Sequence, residues 1–285
     1  MRYEAPETLD AAVALLVRAG GPAKILAGGT DLLVQMKGGT QEPDLVVDIK
    51  RIPEMREIKA ENGGFRIGAA VPSIALGEHQ ALVAAWPGVV EAARLIGSTQ
   101  VQGRATVVGN LCNASPAADS VPAMMAADAV ARIVGPNGTR ELPVGEIATG
   151  PGKTSLAKGE IVASIFLPAR PKQAGDAYLR FIPRTEMDIA VVSCGVSLSL
   201  EGGKVAAARV ALGAVAARAL LVEAAAKAIV GSTLDEAALD RLAAAASAAA
   251  KPIDDKRGTK AFRIQVAGVL ARRAAATALK RAQGK

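Results

Sequence analysis

Apolar and polar positions change their period several times along the chain, and each change marks an element boundary. Across residues 9–18 apolar side chains recur three and four apart, which predicts an amphipathic helix. Lys24-Ile25-Leu26-Ala27 is a short apolar run closed by Gly28-Gly29, and Thr30 is placed to cap a helix over about 31–37. A β-like run follows at 45–49, then a strand at 65–69 and helices near 73–86 and 89–96. Two strands flank the turn Pro136-Asn137-Gly138. Residues 168–175 read as a linker, because two prolines and a glycine punctuate them. Runs at 191–200 and 205–212, separated by Glu201-Gly202-Gly203-Lys204, predict a hairpin. Helices are expected at about 216–229, 234–249 and 259–282. In the last, Ala261, Ile264, Val269 and Leu270 form the expected buried stripe, with Arg263, Arg272, Arg273, Lys280 and Arg281 on the solvated face. Strands and helices mix without a regular βαβ rhythm, so the pattern alone gives an α+β protein of two or three lobes.

Composition narrows the class. The chain has 285 residues, 51% of them hydrophobic and 21% charged, enough for two domains. Alanine-rich stretches are interrupted by charges, so no run reaches the roughly 18 apolar residues of a membrane span. No charged leader precedes an apolar segment and cleavage site, and a cytoplasmic location is expected. The net charge of +7 permits nucleic-acid binding. However, the cations are dispersed and aromatic stacking platforms are scarce, which argues against it. Two cysteines and one histidine cannot build an iron–sulfur cluster or a histidine-rich metal site, so no metal is expected in this chain. Cys112 reads as a small buried residue.

The chemistry lies in two glycine-bearing segments. Ala27-Gly28-Gly29-Thr30-Asp31-Leu32 joins a strand to a helix start, and Thr106-Val107-Val108-Gly109-Asn110-Leu111 reads as a second such turn. Glycine admits positive φ and lacks a Cβ, so backbone N–H groups there can close on an anion. Neither segment is the G-x-G-x-x-G dinucleotide fingerprint or the G-x-x-x-x-G-K-[ST] phosphate loop. The plain alternative for the first is a glycine turn linking a strand to a helix.

Taken together, A-G-G-T-D-L-L and T-x-x-G-N-L-x-x-A-S-P-x-A-D, the latter ending at Asp119, resemble the flavin-binding medium subunits of molybdenum hydroxylases. That family includes xanthine dehydrogenase and carbon monoxide dehydrogenase. The opening Tyr3-Glu4-Ala5-Pro6-Glu7-Thr8-Leu9, the segment Gly159-Glu160-Ile161-Val162 and the run from Tyr178 to Ala190 match in the same order, so the resemblance spans nearly the whole chain. It implies a two-lobed FAD-binding domain of the PCMH/vanillyl-alcohol-oxidase-like type over residues 1–170, with subdomains of about 1–60 and 61–170. A smaller C-terminal domain of antiparallel sheet plus helices would occupy 176–285.

By the same resemblance, Ala27, Gly28, Gly29, Thr30 and Asp31 hold the FAD pyrophosphate, with Leu26 and Leu32 flanking them. Thr106, Gly109 and Asn110 complete the clamp, and Asp119 accepts from ribityl or ribose hydroxyls. Ile161 and Val162 pack against the ring face. Arg180 is the residue expected to carry chemistry, its cation stabilising the reduced ring at the pyrimidine edge. Read without the family, Asp119 is a helix N-cap, and Arg180 is an exposed strand residue opposite Asp188 or Glu186.

Two departures stand out. Val108 replaces a glycine common in the family, which implies strain if that residue needs positive φ. A-G-G-T-D replaces the A-G-G-H-S typical of carbon monoxide dehydrogenases, which counts against carbon monoxide as substrate. The implied role is electron transfer: a large subunit carries the molybdenum-pterin cofactor, a small subunit carries [2Fe-2S] clusters, and this chain passes electrons through noncovalent FAD to NAD or another acceptor. A dimer of heterotrimers is the expected assembly. A stand-alone flavin oxidoreductase and a flavin-free structural homologue remain as alternatives.

Overall fold

In the computed structural model, which describes residues 1–284, three larger sheets and one two-stranded ribbon organise the chain. The first is small and parallel, in the order β1 (Arg2–Glu4), β3 (Leu45–Asp48), β2 (Ala23–Leu26). Helix α1 (Leu9–Arg18) forms the crossover, capped by the Thr8 hydroxyl accepting from Ala11 N. Every residue of β3 is buried, as expected of the central strand of a parallel sheet. Helix α2 (Leu32–Lys37) follows β2 and buries none of its residues.

The second sheet is antiparallel, in the order β4 (Ile58–Glu61), β5 (Gly64–Gly68), β10 (Ile161–Leu167), β6 (Val130–Gly135), β7 (Gly138–Pro143). Between β5 and β6 run α3 (Ser73–Glu78), α4 (Gln80–Ala85), α5 (Pro87–Arg94), α6 (Val107–Cys112) and α7 (Ser120–Ala126). The helix expected near 73–86 is thus two. It breaks at His79, whose Nδ1 accepts from Leu82 N and so caps the second piece. A small hairpin of β8 (Ala148–Gly150) and β9 (Lys153–Thr154) leads into β10.

The third sheet is antiparallel, in the order β11 (Ala174–Phe181), β12 (Val192–Glu201), β13 (Lys204–Gly213), β14 (Leu220–Leu221). The expected hairpin about Gly202-Gly203 is present, with both glycines at positive φ. Helices α8 (Glu223–Lys227), α9 (Glu236–Ala249) and α10 (Lys260–Ala282) complete this lobe. The helix expected over 216–229 is only α8, because Leu220 and Leu221 instead pair with Leu212 and Ala211 at the sheet edge. Helix α10 presents a stripe of alanines, from Ala267 to Ala282, to β11 and β12. This stripe differs from the expected one. Ala261 and Val269 are exposed, while Arg263 is buried and donates to the Val191 carbonyl oxygen at 2.9 Å and to Asp255 at 2.6 Å.

What reads as a linker is a tied seam. Trp86 donates to the Pro168 carbonyl oxygen at 3.1 Å, and the Arg170 guanidinium lies 5.1 Å from the Trp86 ring centroid. Arg170 also pairs with the buried Asp176 at 3.1 Å, and Arg281 of α10 bonds both Glu91 of α5 and the Asp176 carbonyl oxygen. Among the described residues no helix is long and apolar enough to cross a membrane.

Candidate functional site

The site begins at the end of β2, where Gly28 and Gly29 turn the chain out of the parallel sheet. Gly29 adopts φ +79°, a conformation open to glycine at little cost. At Gly28 the reason is different. An added Cβ would lie 2.0 Å from the carbonyl oxygen of Arg104, so this turn abuts the backbone just before α6. The two glycine-bearing segments, distant in sequence, are thereby joined.

Beneath the turn, Lys50 donates from Nζ to the Ala27 carbonyl oxygen at 3.0 Å and pairs with Asp48 Oδ1 at 2.8 Å. Tyr3 donates to Asp48 Oδ2 at 2.6 Å. Burial opposes ionisation of Asp48, but the bonds from Lys50 and Tyr3 outweigh it and hold the carboxyl below its usual range. With the Ala27 carbonyl anchored inward, the N–H groups of Gly28, Gly29, Thr30, Asp31 and Leu32 meet no acceptor among the described residues. Sequence reading missed Lys50 and Asp48, which line no glycine motif. Their only local signal is the Asp-x-Lys spacing after a buried strand.

A cleft of about 450 Å³ opens beside these groups, within the range of small-molecule and cofactor sites. Eleven of the residues singled out in the sequence line it: Ala27, Gly28, Gly29, Thr30, Asp31, Leu32, Thr106, Gly109, Asn110, Ile161 and Val162. Lys24 and Lys158 contribute cations to the wall, and Lys158 is steadied by donating to the Ala19 carbonyl oxygen at 2.9 Å. Burial pushes Asp31 upward. Glu160, also on the wall, is held low by Arg140 at 2.7 Å.

The second segment differs from expectation. Residues 107–112 are helical, and the Thr106 hydroxyl caps them by accepting from Gly109 N at 2.9 Å. Asn110 N donates to the Thr106 carbonyl oxygen. The N–H groups of Gly109 and Asn110 are therefore committed to the helix, and what this wall offers is the Thr106 hydroxyl proton and the Asn110 side-chain amide. Val108 has no positive φ and is buried in the first turn, so the expected strain is absent. Nor does Thr30 cap α2: the N-cap position is Asp31, in αR conformation without a side-chain bond, which leaves the Thr30 hydroxyl uncommitted to the helix.

Leu26, Asp119 and Arg180 do not line the cleft. Leu26 is a buried support under Gly29. Asp119 stands at the N-cap position of α7 but makes no cap bond. Instead its carboxylate accepts from Tyr178 at 2.9 Å and from Arg180 at 2.7 Å. Neither Asp188 nor Glu186 is the partner of Arg180. Burial pushes the Asp119 carboxyl up to about 6, against the opposing pull of Arg180 and Tyr178. This pair sits just behind the cleft wall, because Asn110 Oδ1 accepts from both the N and Oγ of the adjoining Ser120, at 3.2 and 2.7 Å.

Comparison with known proteins matches residues 1–170 to the family model described as "FAD binding domain in molybdopterin dehydrogenase" and residues 177–278 to "CO dehydrogenase flavoprotein C-terminal domain". The carbon monoxide dehydrogenase medium chain of Hydrogenophaga pseudoflava is 35% identical over 95% of this chain and 94% of its own length. The putative xanthine dehydrogenase FAD-binding subunit of Escherichia coli is 32% identical over 99% and 97%. In three dimensions, reconstituted CO dehydrogenase from Oligotropha carboxidovorans contains a chain that superimposes with a TM-score of 0.95 at 34% identity, covering 99% of this chain and 98% of that one.

Proposed function

The chain belongs to the FAD-binding subunits of molybdopterin dehydrogenases, the medium chains of the carbon monoxide and xanthine dehydrogenase type, and from that membership we propose that its cleft holds one FAD used for electron transfer. The observation that carries this reading is the row of free N–H groups from Gly28 to Leu32 along the cleft. Such a row, with no side chain at Gly28 or Gly29 to obstruct approach, fits a pyrophosphate. Thr106 and Asn110 offer donors from the opposite wall, and Lys24 and Lys158 add positive potential. Ile161 and Val162 supply apolar surface to a flat ring.

We assign Arg180 and Asp119 to the ring side of the same site, behind the Asn110 wall rather than on it, so that the guanidinium, paired with the carboxylate, acts through its charge on the pyrimidine edge. Bound flavin supplies interconversion of one- and two-electron transfers. The chain itself needs no general base. Its tasks are to hold the pyrophosphate, keep water from the ring and set the local charge.

Electrons enter from [2Fe-2S] clusters of a small subunit, supplied by a large molybdenum-cofactor subunit, and leave to NAD or another acceptor, in a dimer of heterotrimers. Thr30-Asp31, where carbon monoxide dehydrogenases typically have His-Ser, supports an organic substrate for the complex. The test is to purify the assembled complex, reduce it with dithionite and add NAD. One FAD per copy of this chain, bleached by reduction and recoloured by NAD, is the expected result. A complex with clusters and molybdenum but no flavin would overturn the cofactor, and flavin that stays reduced would exclude NAD.

A further inference from the structure

The cluster behind Asn110 includes a buried phenol, Tyr178, that does not line the cleft. Tyr178 on β11 is buried, and its hydroxyl donates to Asp119 Oδ1 at 2.9 Å. Arg180, two residues along and hence on the same face of the strand, donates to Asp119 Oδ2 at 2.7 Å. One strand of the C-terminal lobe thus engages both oxygens of a carboxylate that belongs to the FAD-binding lobe. The bonds from Ser120 to Asn110 fix the start of α7, so Asp119 is held from its own side as well.

From this geometry we infer that Tyr178 is a positioning residue for the flavin: it keeps Asp119 ionised and turned to Arg180, so that the guanidinium acts on the ring as half of a fixed ion pair. The inference rests on the placement of Asp119 and Arg180 at the ring side proposed above.

The chemistry follows from burial. A carboxylate nearly out of water favours its neutral form, and here only Arg180 and the phenol oppose that. A neutral Asp119 would leave the guanidinium uncompensated, making flavin easier to reduce. Arg180 is the only charged group among the described residues that bears on Asp119. Its other neighbours are uncharged at neutral pH: Tyr178 on β11, Ser193 of β12, which is opposite Arg180 in register, and Asn110 and Ser120. Tyr178→Phe keeps the ring and its packing but removes the donor, so Asp119 takes up a proton at higher pH. Potentials of the two forms then differ only between the old and the new titration points.

The experiment is a redox titration of the flavin bands across pH in the assembled complex, with FAD content measured alongside. For Tyr178→Phe the inflection in potential against pH should move to the alkaline side by roughly one to two pH units, the scale of one hydrogen bond to a charge. Asp119→Asn should abolish the inflection and hold the potential on the acid branch. Infrared absorption of the Asp119 carboxyl, identified by its loss in Asp119→Asn, reads the same titration point when no flavin is bound. An inflection unmoved by Tyr178→Phe but removed by Asp119→Asn would show the phenol to be packing alone, overturning the inference and sparing the site. Full FAD content with unaltered potentials in both variants would instead place the pair away from the ring, and the underlying reading would fall with it.

Discussion

An added Cβ at Gly28 lies 2.0 Å from a backbone oxygen, so no rotamer change relieves the clash and the turn must part from residue 104. Overpacking of this kind costs about 1–3 kcal/mol. Gly28→Ala is expected to weaken FAD binding by roughly tenfold or more while the lobes remain folded. Gly20→Ala is the matched control, since nothing lies within 4 Å of its Cβ. FAD content of the two purified complexes distinguishes them. Gly29 is a poorer probe: at φ +79° any side chain strains the backbone, and a Cβ meets Leu26 at 2.8 Å, so lost flavin there would not isolate the phosphate contact. Cys112 lines the cleft, but burial pushes its thiol up to about 12, so little thiolate exists at neutral pH to attack a flavin. His79 is occupied elsewhere, stacked edge-on against Phe65. Acid precipitation should therefore release all the FAD, and flavin retained on the precipitate would reveal a covalent bond.

At the scale of elements, α2 stands apart because it buries no residue, with Leu33 and Val34 exposed. One side-chain bond, Gln35 Nε2 to Asn113 Oδ1 at 3.0 Å, ties it to the end of α6 across the cleft. Gln35→Ala removes about 1 kcal/mol of hydrogen bonding. It should speed FAD release by roughly fivefold and lower the melting temperature by no more than a few degrees, as stopped-flow displacement and thermal melts would show. The crossing of α10 over β11 is the opposite case. There a Cβ at Gly175 would lie 1.9 Å from the Ala278 carbonyl oxygen, so Gly175→Ala forces a packed helix off its sheet. A loss of about 1–3 kcal/mol, seen as a drop of several degrees in melting temperature, is expected.

For the whole molecule, the seam between the lobes carries two buried carboxyls with raised pKa, Asp119 and Asp176, both at about 6. Burial is the main cause in each. A carboxyl whose folded pKa lies above its unfolded value binds its proton more tightly when folded, so the folded state pays an ionisation penalty above about pH 6. As pH falls from 6 towards 4 that penalty is relieved, by up to about 3 kcal/mol per group. Glu61, Glu160, Asp188 and Asp255 act in the other direction, since their partners lower their pKa and their contribution is lost only in stronger acid. The melting temperature should therefore rise from pH 7 to pH 5 and fall in stronger acid. Asp119→Asn should flatten the rise, and a steady decline from pH 7 downward in the unmodified protein would contradict the assignment.

Some of this was legible in the residues alone. The opening helix, the Gly202-Gly203 hairpin and the long final helix rest on periodicity and turn chemistry within a few positions, and those signals are local. The Gly28-Gly29 turn was readable for the same reason. Contacts between distant segments decided the rest. Alanine content favours helix over 216–229, but a free edge of β13 drew Leu220 and Leu221 into the sheet. Thr106-Val107-Val108-Gly109 has the composition of a turn, and only the cap bond from Gly109 N makes it a helix start. No spacing rule links Lys50 to Ala27, Gly28 to Arg104 or Asp119 to Tyr178 and Arg180. The sequence determined which backbone can curl around an anion, because conformational freedom belongs to each residue. Which groups face that anion, and which carboxylate shares the Arg180 charge, depended on packing that brings distant residues together and removes water from between them.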